Sequence, residues 1–138
     1  LHEQVLIKQK PILGICLGMQ LFATTGNEGG ETKGLGWIKG AVKKIEISSS
    51  LRLPHVGWND VELIKNSELL KGCNEELVFY FVHSYEFLPL ESENIVGTTY
   101  YGKKIVSIIE KDNIFATQFH PEKSHVAGRA ILSNFLNL

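Results

Sequence analysis

Short apolar runs, separated by glycine, proline and charged positions, dominate this chain, and few carry the spacing of a long helix. Residues 1–10 read as the closing turns of a helix. Pro11-Ile12-Leu13-Gly14-Ile15 is a compact apolar run that predicts a strand over 11–15, and a helix follows over 17–25. Residues 26–40 carry glycines at 26, 29, 30, 34, 36 and 40 and predict a mobile surface loop. Charged and apolar positions interleave over 41–47, a strand candidate that ends at the break Ser48-Ser49-Ser50. The compact stretch Leu53-Pro54-His55-Val56-Gly57-Trp58-Asn59 precedes renewed strand character over 61–64. A short helical turn over 67–70 is closed by Gly72. Leu77-Val78-Phe79-Tyr80-Phe81-Val82 is continuously apolar, which predicts a strand buried on both faces. The β-branched runs 95–101 and 104–110 flank Gly102-Lys103 and predict a hairpin. Asp112-Asn113 turns the chain into a further strand over 114–119. Ser124 is placed to cap a last helix over 126–136, with Val126, Ile131, Phe135 and Leu138 as its apolar face.

Bulk properties narrow the field. A length of 138 residues fits one domain with a real core. Fourteen basic residues against fifteen acidic ones leave a net charge of −1, with no basic block and no acidic tail. That balance argues against nucleic acid or an anionic membrane as the principal partner. No apolar run approaches the roughly 18 to 20 residues of a membrane span, and no signal-peptide pattern opens the chain. Cys16 and Cys73 make no disulfide framework, and Cys73, in a polar loop context, reads as incidental. A reducing cytoplasm is the expected location. The chain starts at Leu1, as if within a helix, and one strand precedes Cys16 where a doubly wound sheet would supply parallel neighbours. The expectation is therefore that an N-terminal segment belongs in front of it.

The residues around Cys16 suggest chemistry. Gly14-Ile15-Cys16-Leu17-Gly18, between strand and helix, has the layout of a nucleophile elbow with cysteine in the serine position. Such a turn strains the central residue and predicts close chain approach on both sides, where only glycine fits. The following helix N-terminus is expected to lower the thiol pKa. A buried structural cysteine is the alternative. His120-Pro121-Glu122 lies just past a predicted strand end, where α/β sites are built. With Cys16 it would complete a triad: cysteine attacks a carbonyl, His120 takes and returns the proton, and Glu122 fixes the imidazole. A surface histidine at a turn is the competing reading. Zinc chemistry is not predicted, because His-x-Glu lacks the downstream Pro-Cys-x-x-Cys and neither Cys-x-x-Cys nor His-Glu-x-x-His occurs. No phosphate-cradling Gly-Lys-Ser/Thr loop occurs either.

Four motifs in order carry a resemblance: Gly14-Ile15-Cys16-Leu17-Gly18-Met19-Gln20, Pro54-His55-Val56-Gly57-Trp58-Asn59, Phe79-Tyr80-Phe81-Val82-His83-Ser84-Tyr85 and Gln118-Phe119-His120-Pro121-Glu122-Lys123-Ser124. From about residue 12 to the end, the chain resembles the class I (triad) glutamine amidotransferases. More narrowly, it is similar to the glutaminase subunits of imidazole glycerol phosphate synthases, of the histidine pathway. The resemblance implies an α/β fold with a mixed, largely parallel sheet and flanking helices. It implies L-glutamine as substrate, with Cys16 as nucleophile, His120 as proton carrier and Glu122 behind it, and no cofactor. The backbone N–H of Leu17 would be one oxyanion donor. Gln20 and the backbone at Ser84 and Tyr85 would hold the substrate. Trp58 and Lys123 would face a synthase (cyclase) subunit of barrel fold, in a heterodimer across which ammonia passes. In this family a second oxyanion donor comes from a glycine-rich loop nearer the N-terminus, which leads to the expectation of a feeble glutaminase from these residues alone. Two further readings are an ammonia donor for amidino-sugar formation in surface polysaccharides, and a truncated, weakly catalytic docking module.

Overall fold

The computed structural model describes residues 1–48, 50–73 and 76–138; Ser49 of the serine break and Asn74 and Glu75 of the loop after Cys73 lie outside them. The apolar run before the cysteine forms strand β1 (Ile12–Ile15) and leads through Cys16 into helix α1 (Leu17–Leu21). A single turn of π-helix, Glu3–Ile7, precedes it. Helix α1 stops earlier than the apolar pattern predicts, because the returning chain takes over its carbonyls. Leu35 N–H donates to Leu21 O, Ile38 N–H to Phe22 O and Gly36 N–H to Ala23 O, all at 2.8–3.0 Å. The glycine-rich segment is thus pinned to the helix end rather than loose. It contains β2 (Thr25–Gly26) and β3 (Thr32–Lys33) and buries Trp37 and Ile38. A Cβ on Gly34 would sit 2.1 Å from Ala23 O, so glycine there is a requirement of this close approach.

The main sheet is assembled from the C-terminal half. Strands β9 (Ile95–Tyr100), β10 (Lys104–Lys111) and β11 (Ile114–Thr117) follow one another antiparallel, because the turns at Gly102 and Asp112 are far too short for a crossover. Strand β1 then lies parallel to β11, with Ile15 opposite Thr117, and β6 (Glu62–Leu63) closes the other edge beside β9. A second sheet orders β3, β2, β4 (Gly40–Lys44) and β8 (Tyr85–Pro89), and a third pairs β5 (His55–Asp60) with β7 (Val78–His83). Among the described residues the parallel pairs are β1 with β11 and β2 with β4. The α/β class with mixed sheets is as expected, but its parallel share is smaller.

Alternation sorts the core onto two sides of the main sheet. Ile109, Ile114 and Ala116 face one cluster with Met19, Phe22 and Trp37, whereas Ile108 and Phe115 face another with Phe79, Phe119 and Ile131. Phe79 and Phe119 stack with centroids 3.9 Å apart. Strand β7 is not buried on both faces: Phe79, Phe81 and His83 are buried, and Tyr80 and Val82 are half-buried. On that second face Trp58 and Lys123 lie against Tyr80.

The closing helix α2 (His125–Leu136) buries Ile131 and packs Phe135 against the core as the apolar spacing predicts, but not the two ends of the predicted face. Ala127, Gly128 and Ile131 are buried, whereas Val126 and Leu138 are about half exposed. The first turn of the helix comes close to the preceding turn at Gly128, since a Cβ there would lie 1.9 Å from Pro121 O. Ser124 precedes the helix but does not cap it; its hydroxyl donates to His120 O (2.6 Å) and accepts from Tyr80 N–H (3.0 Å). The predicted turn at Ser67 does form, as one 3-10 turn Glu68–Leu70 with Ser67 Oγ accepting from Leu69 N–H.

Opposite one another on β5 and β7 are His55 and His83, both buried. His83 Nδ1 donates to Tyr85 O (2.8 Å), because a carbonyl only accepts. A neutral His83 therefore presents Nε2 as acceptor to His55 Nδ1–H at 3.0 Å, and His55 Nε2 accepts from Asn59 Nδ2 at 3.3 Å. The His55 ring lies between Phe81 and Tyr101, stacked on each. Burial, then repulsion from His83, lowers the His55 pKa to about 4, and burial lowers that of His83.

Two outcomes follow from this packing. A Cβ at Gly14 would meet Phe22 Cε2 at 2.5 Å and Gly18 C at 2.8 Å, whereas one at Gly18 meets nothing within 4 Å. Thermal unfolding should show Gly14→Ala costing about 2 kcal/mol, roughly 8 °C in Tm, and Gly18→Ala no loss or a small gain. For the histidines, the unfolded chain takes up protons below about pH 6.5 that the folded chain refuses. Stability should therefore fall as pH drops from about 6.5 towards about 4, by up to about 1.4 kcal/mol per unit from His55, with His83 acting in the same direction. Urea midpoints across that range should show the slope, and His55→Gln should flatten it.

Candidate active site

Cys16 stands at the joint between β1 and α1 with φ 51° and ψ −106°, outside the regions that L-residues favour. Such a conformation costs on the order of 1–3 kcal/mol and persists where surrounding bonds over-determine it. Here Cys16 N–H donates to Thr117 O (2.8 Å) and Cys16 O accepts from Gln20 N–H (3.3 Å). The elbow geometry is present, with one correction: close approach demands glycine at Gly14 but not at Gly18, where a Cβ would find open space.

Gln118 Nε2 donates to the Cys16 sulfur at 3.6 Å, and the thiol faces Val82 O at 4.0 Å. The thiol pKa is raised rather than lowered, which corrects the expectation from the helix N-terminus. Burial is the largest cause and disfavours the thiolate; the Glu122 carboxylate adds to it. The Leu17 N–H, the Gln118 amide and the Lys123 ammonium oppose the rise without overcoming it. A helix of five residues carries too few aligned peptides to outweigh desolvation.

His120 and Glu122 are brought together by the turn that Pro121 starts, a single 3-10 turn Pro121–Lys123. His120 Nδ1 lies 2.6 Å from Glu122 Oε1, which leaves Nε2 for proton exchange. The histidine backbone is held at both ends, its N–H donating to Tyr80 O (2.9 Å) and its carbonyl accepting from Ser124 Oγ. Cys16 and His120 follow the C-terminal ends of the adjacent parallel strands β1 and β11, so they share one end of the sheet. Among the described residues the hydrogen-bond partners of the sulfur are Gln118 and Val82, and the His120 imidazole is not one of them.

The remaining expected residues fall into two groups. Gln20 points inward and its Nε2 donates to Tyr85 O (3.2 Å) and Gln118 Oε1 (3.1 Å). Ser84 O accepts from Ile45 N–H (2.9 Å), so the Ser84–Tyr85 backbone is fixed from both sides. A cavity of about 100 Å³ opens beside them, lined by Leu17, Gln20, Leu21, Thr25, Glu28 and Lys33 among others. A larger cleft of about 440 Å³, at Leu63, Ser67, Leu70 and Glu110, has none of the expected residues in its lining. The second group is a surface patch. Trp58, 48 % exposed, stacks flat on His125 at 4.7 Å and meets Tyr80 edge-on at 5.9 Å, while Lys123 Nζ lies 5.8 Å from the Tyr80 ring centre.

Sequence reasoning assigned no role to Gln118 or His83. The available signal was a lone amide inside Ile114-Phe115-Ala116-Thr117-Gln118-Phe119, and a histidine ending an apolar strand. Among the described residues no group of three His, Cys, Asp or Glu could hold a metal ion, and no helix is long and apolar enough to cross a membrane.

Comparison with known proteins bears on this arrangement. The family described as "Glutamine amidotransferase class-I" matches residues 1–138. The chain is 50 % identical over 139 aligned residues to imidazole glycerol phosphate synthase subunit HisH of Pelagibacter ubique, covering all of this chain and 67 % of that protein. It is 51 % identical to subunit HisH 1 of Campylobacter jejuni, covering all of this chain and 68 % of the relative. It thus spans about two thirds of the length of these relatives. The crystal structure of a glutamine amidotransferase from Thermotoga maritima superposes with a TM-score of 0.62 over 98 % of this chain and 50 % of that one, at 19 % identity, a likeness of fold alone. A strained cysteine elbow, a His–Glu pair at the same end of the sheet and this degree of identity agree, and the chain belongs to the class-I glutamine amidotransferase family, in the branch of the HisH subunits of imidazole glycerol phosphate synthase.

Proposed function

We propose that this chain is the glutaminase part of an imidazole glycerol phosphate synthase. It hydrolyses L-glutamine to glutamate and ammonia and delivers the ammonia to a cyclase subunit of barrel fold, within a cytoplasmic heterodimer. The observation that carries the reading is the placement of a strained cysteine and a carboxylate-paired histidine after the ends of two adjacent parallel strands.

The chemistry follows from the charges at the site. The raised thiol pKa keeps Cys16 protonated at rest, so attack on the glutamine side-chain amide requires a base at that moment. His120, with Nδ1 committed to Glu122, takes the thiol proton at Nε2 as the cysteine closes on the substrate. Apo geometry at such sites is commonly loose, and the Cys16–His120 contact tightens when substrate fills the space between them. The tetrahedral oxyanion is met by the Leu17 N–H, which faces the sulfur in the resting site. His120 then protonates the departing ammonia, and afterwards draws a proton from the water that hydrolyses the glutamyl thioester. Both Nε2 hydrogens of Gln20 are used by Tyr85 O and Gln118, which leaves Gln20 Oε1 to meet the substrate. Glutamine is held further by the backbone at Ser84 and Tyr85.

Ammonia released into water is protonated and lost as a nucleophile, so the partner must seal the exit. Trp58, Tyr80, Lys123 and His125 form an exposed aromatic and cationic patch next to Glu122, suited to docking that partner.

Glutaminase assays should show a clearly higher rate with the cyclase partner and its ligand than with the chain alone, because ammonia released without an acceptor is wasted. Cys16→Ala should abolish turnover, and His120→Asn should cost about 10³-fold or more. A glutamine-like diazo-ketone should label Cys16 in the complex. Equal rates with and without the partner, or turnover surviving Cys16→Ala, would refute the proposal.

A further inference from the structure

Gln118 is fully buried at the end of β11, and a buried primary amide must satisfy both of its ends. Which end faces the sulfur is decided by a backbone carbonyl some distance away. Tyr85 O can only accept, and it receives His83 Nδ1–H at 2.8 Å and Gln20 Nε2 at 3.2 Å. Turning the Gln20 amide over would set its oxygen against that carbonyl. Gln20 therefore presents nitrogen, and its second hydrogen goes to Gln118 at 3.1 Å, which forces Gln118 to offer Oε1 there. Gln118 Nε2 is left aimed at Cys16 Sγ, 3.6 Å away. The polarity is reinforced upstream, because neutral His83 accepts from His55 Nδ1–H.

We propose that Gln118 is a positioning residue for the nucleophile: its amide, locked in one orientation by Gln20 and the Tyr85 carbonyl, holds the Cys16 sulfur in place and stabilises the thiolate formed when His120 removes the proton. The role rests on the reading of Cys16 as nucleophile. An N–H donor gains strength when its acceptor becomes an anion, and a buried site magnifies the difference. The amide thus acts against the burial that holds the thiol protonated. Charges on neighbouring elements also act on this sulfur, Glu122 raising its pKa and Lys123 lowering it; both follow β11 and are untouched by exchange of the amide.

The test is the pH dependence of Cys16 alkylation by iodoacetamide, read at that residue by mass spectrometry so that Cys73 does not interfere, together with kcat and KM in the complex with the cyclase partner. Gln118→Leu, which removes the donor, should move the alkylation midpoint up by about one pH unit and slow alkylation near neutral pH about 10-fold. Gln118→Glu, which sets a carboxylate against the sulfur, should move it further. Turnover by Gln118→Leu should fall about 10-fold in kcat with KM within about 3-fold of the parent. Should the Gln118 variants fail to fold, Gln20→Met releases the amide to turn over and should give an upward shift of smaller size. Midpoints that coincide with the parent, or move down, overturn the proposal. A shifted midpoint in a complex that never hydrolyses glutamine would instead overturn the glutaminase reading, leaving only Gln118 as a donor that stabilises the Cys16 thiolate.

Discussion

Parallel pairing of β1 with β11 is the constraint on which the rest of the molecule depends. The two strands are separated by about a hundred residues, yet Ile15 lies opposite Thr117 and both strands end on the same side. Everything chemical is then attached just beyond those ends: Cys16 after one, Gln118 to Glu122 after the other. Parallel neighbours cannot be joined by a tight turn, so the intervening chain must leave the sheet and return. It uses that excursion to build the two smaller sheets that flank the site and supply Tyr85, His83 and Trp58. The Cys16 N–H to Thr117 O bond extends the ladder one step past the strand end and holds the strained cysteine in register.

Burial and activation oppose each other at the sulfur. Enclosing Cys16 shields it from bulk water, but it raises the cost of the thiolate on which nucleophilic attack depends. The Leu17 N–H, Gln118 and Lys123 reduce that cost without eliminating it, and Glu122 raises it. The net result is a thiol that stays protonated at rest. Glu122 thereby has two effects in opposite directions, since the same carboxylate that orients His120 also repels a thiolate.

The histidines of β5 and β7 show how the fold keeps cationic charge confined near the site. Placed opposite one another and buried, His55 and His83 are satisfied as neutral donors and acceptors in a chain of fixed direction, Asn59 to His55 to His83 to Tyr85 O. Burial first, and then repulsion from His120, lowers the His83 pKa, so His83 stays neutral. The same chain ends on the carbonyl that orients Gln20 and, through it, Gln118. A polar network of this kind costs solvation energy wherever it is incomplete, which makes every member sensitive to replacement.

Local patterns were enough to locate several local geometries. Glycine bracketing placed the elbow at Cys16, the spacing of His120 and Glu122 around a proline placed the pair, and β-branched runs on either side of Gly102 placed the β9–β10 hairpin. The short turn after Ser67 was legible because the bond that starts it, Leu69 N–H to Ser67 Oγ, spans two residues. Such features are written in the chain because each depends on neighbours within a few residues. What remained hidden depends on distant contacts. The close seating of the start of α2 follows from Gly128 lying against Pro121, the end of α1 from Leu35 and Ile38 claiming its carbonyls, and the tolerance at Gly18 from space that no neighbour fills. The sign of the thiol shift and the role of Gln118 depend on burial and on a carbonyl far along the chain. Sequence determined which groups could react; tertiary structure decided their protonation and orientation, because desolvation and hydrogen-bond direction are properties of surroundings that the chain assembles only on folding.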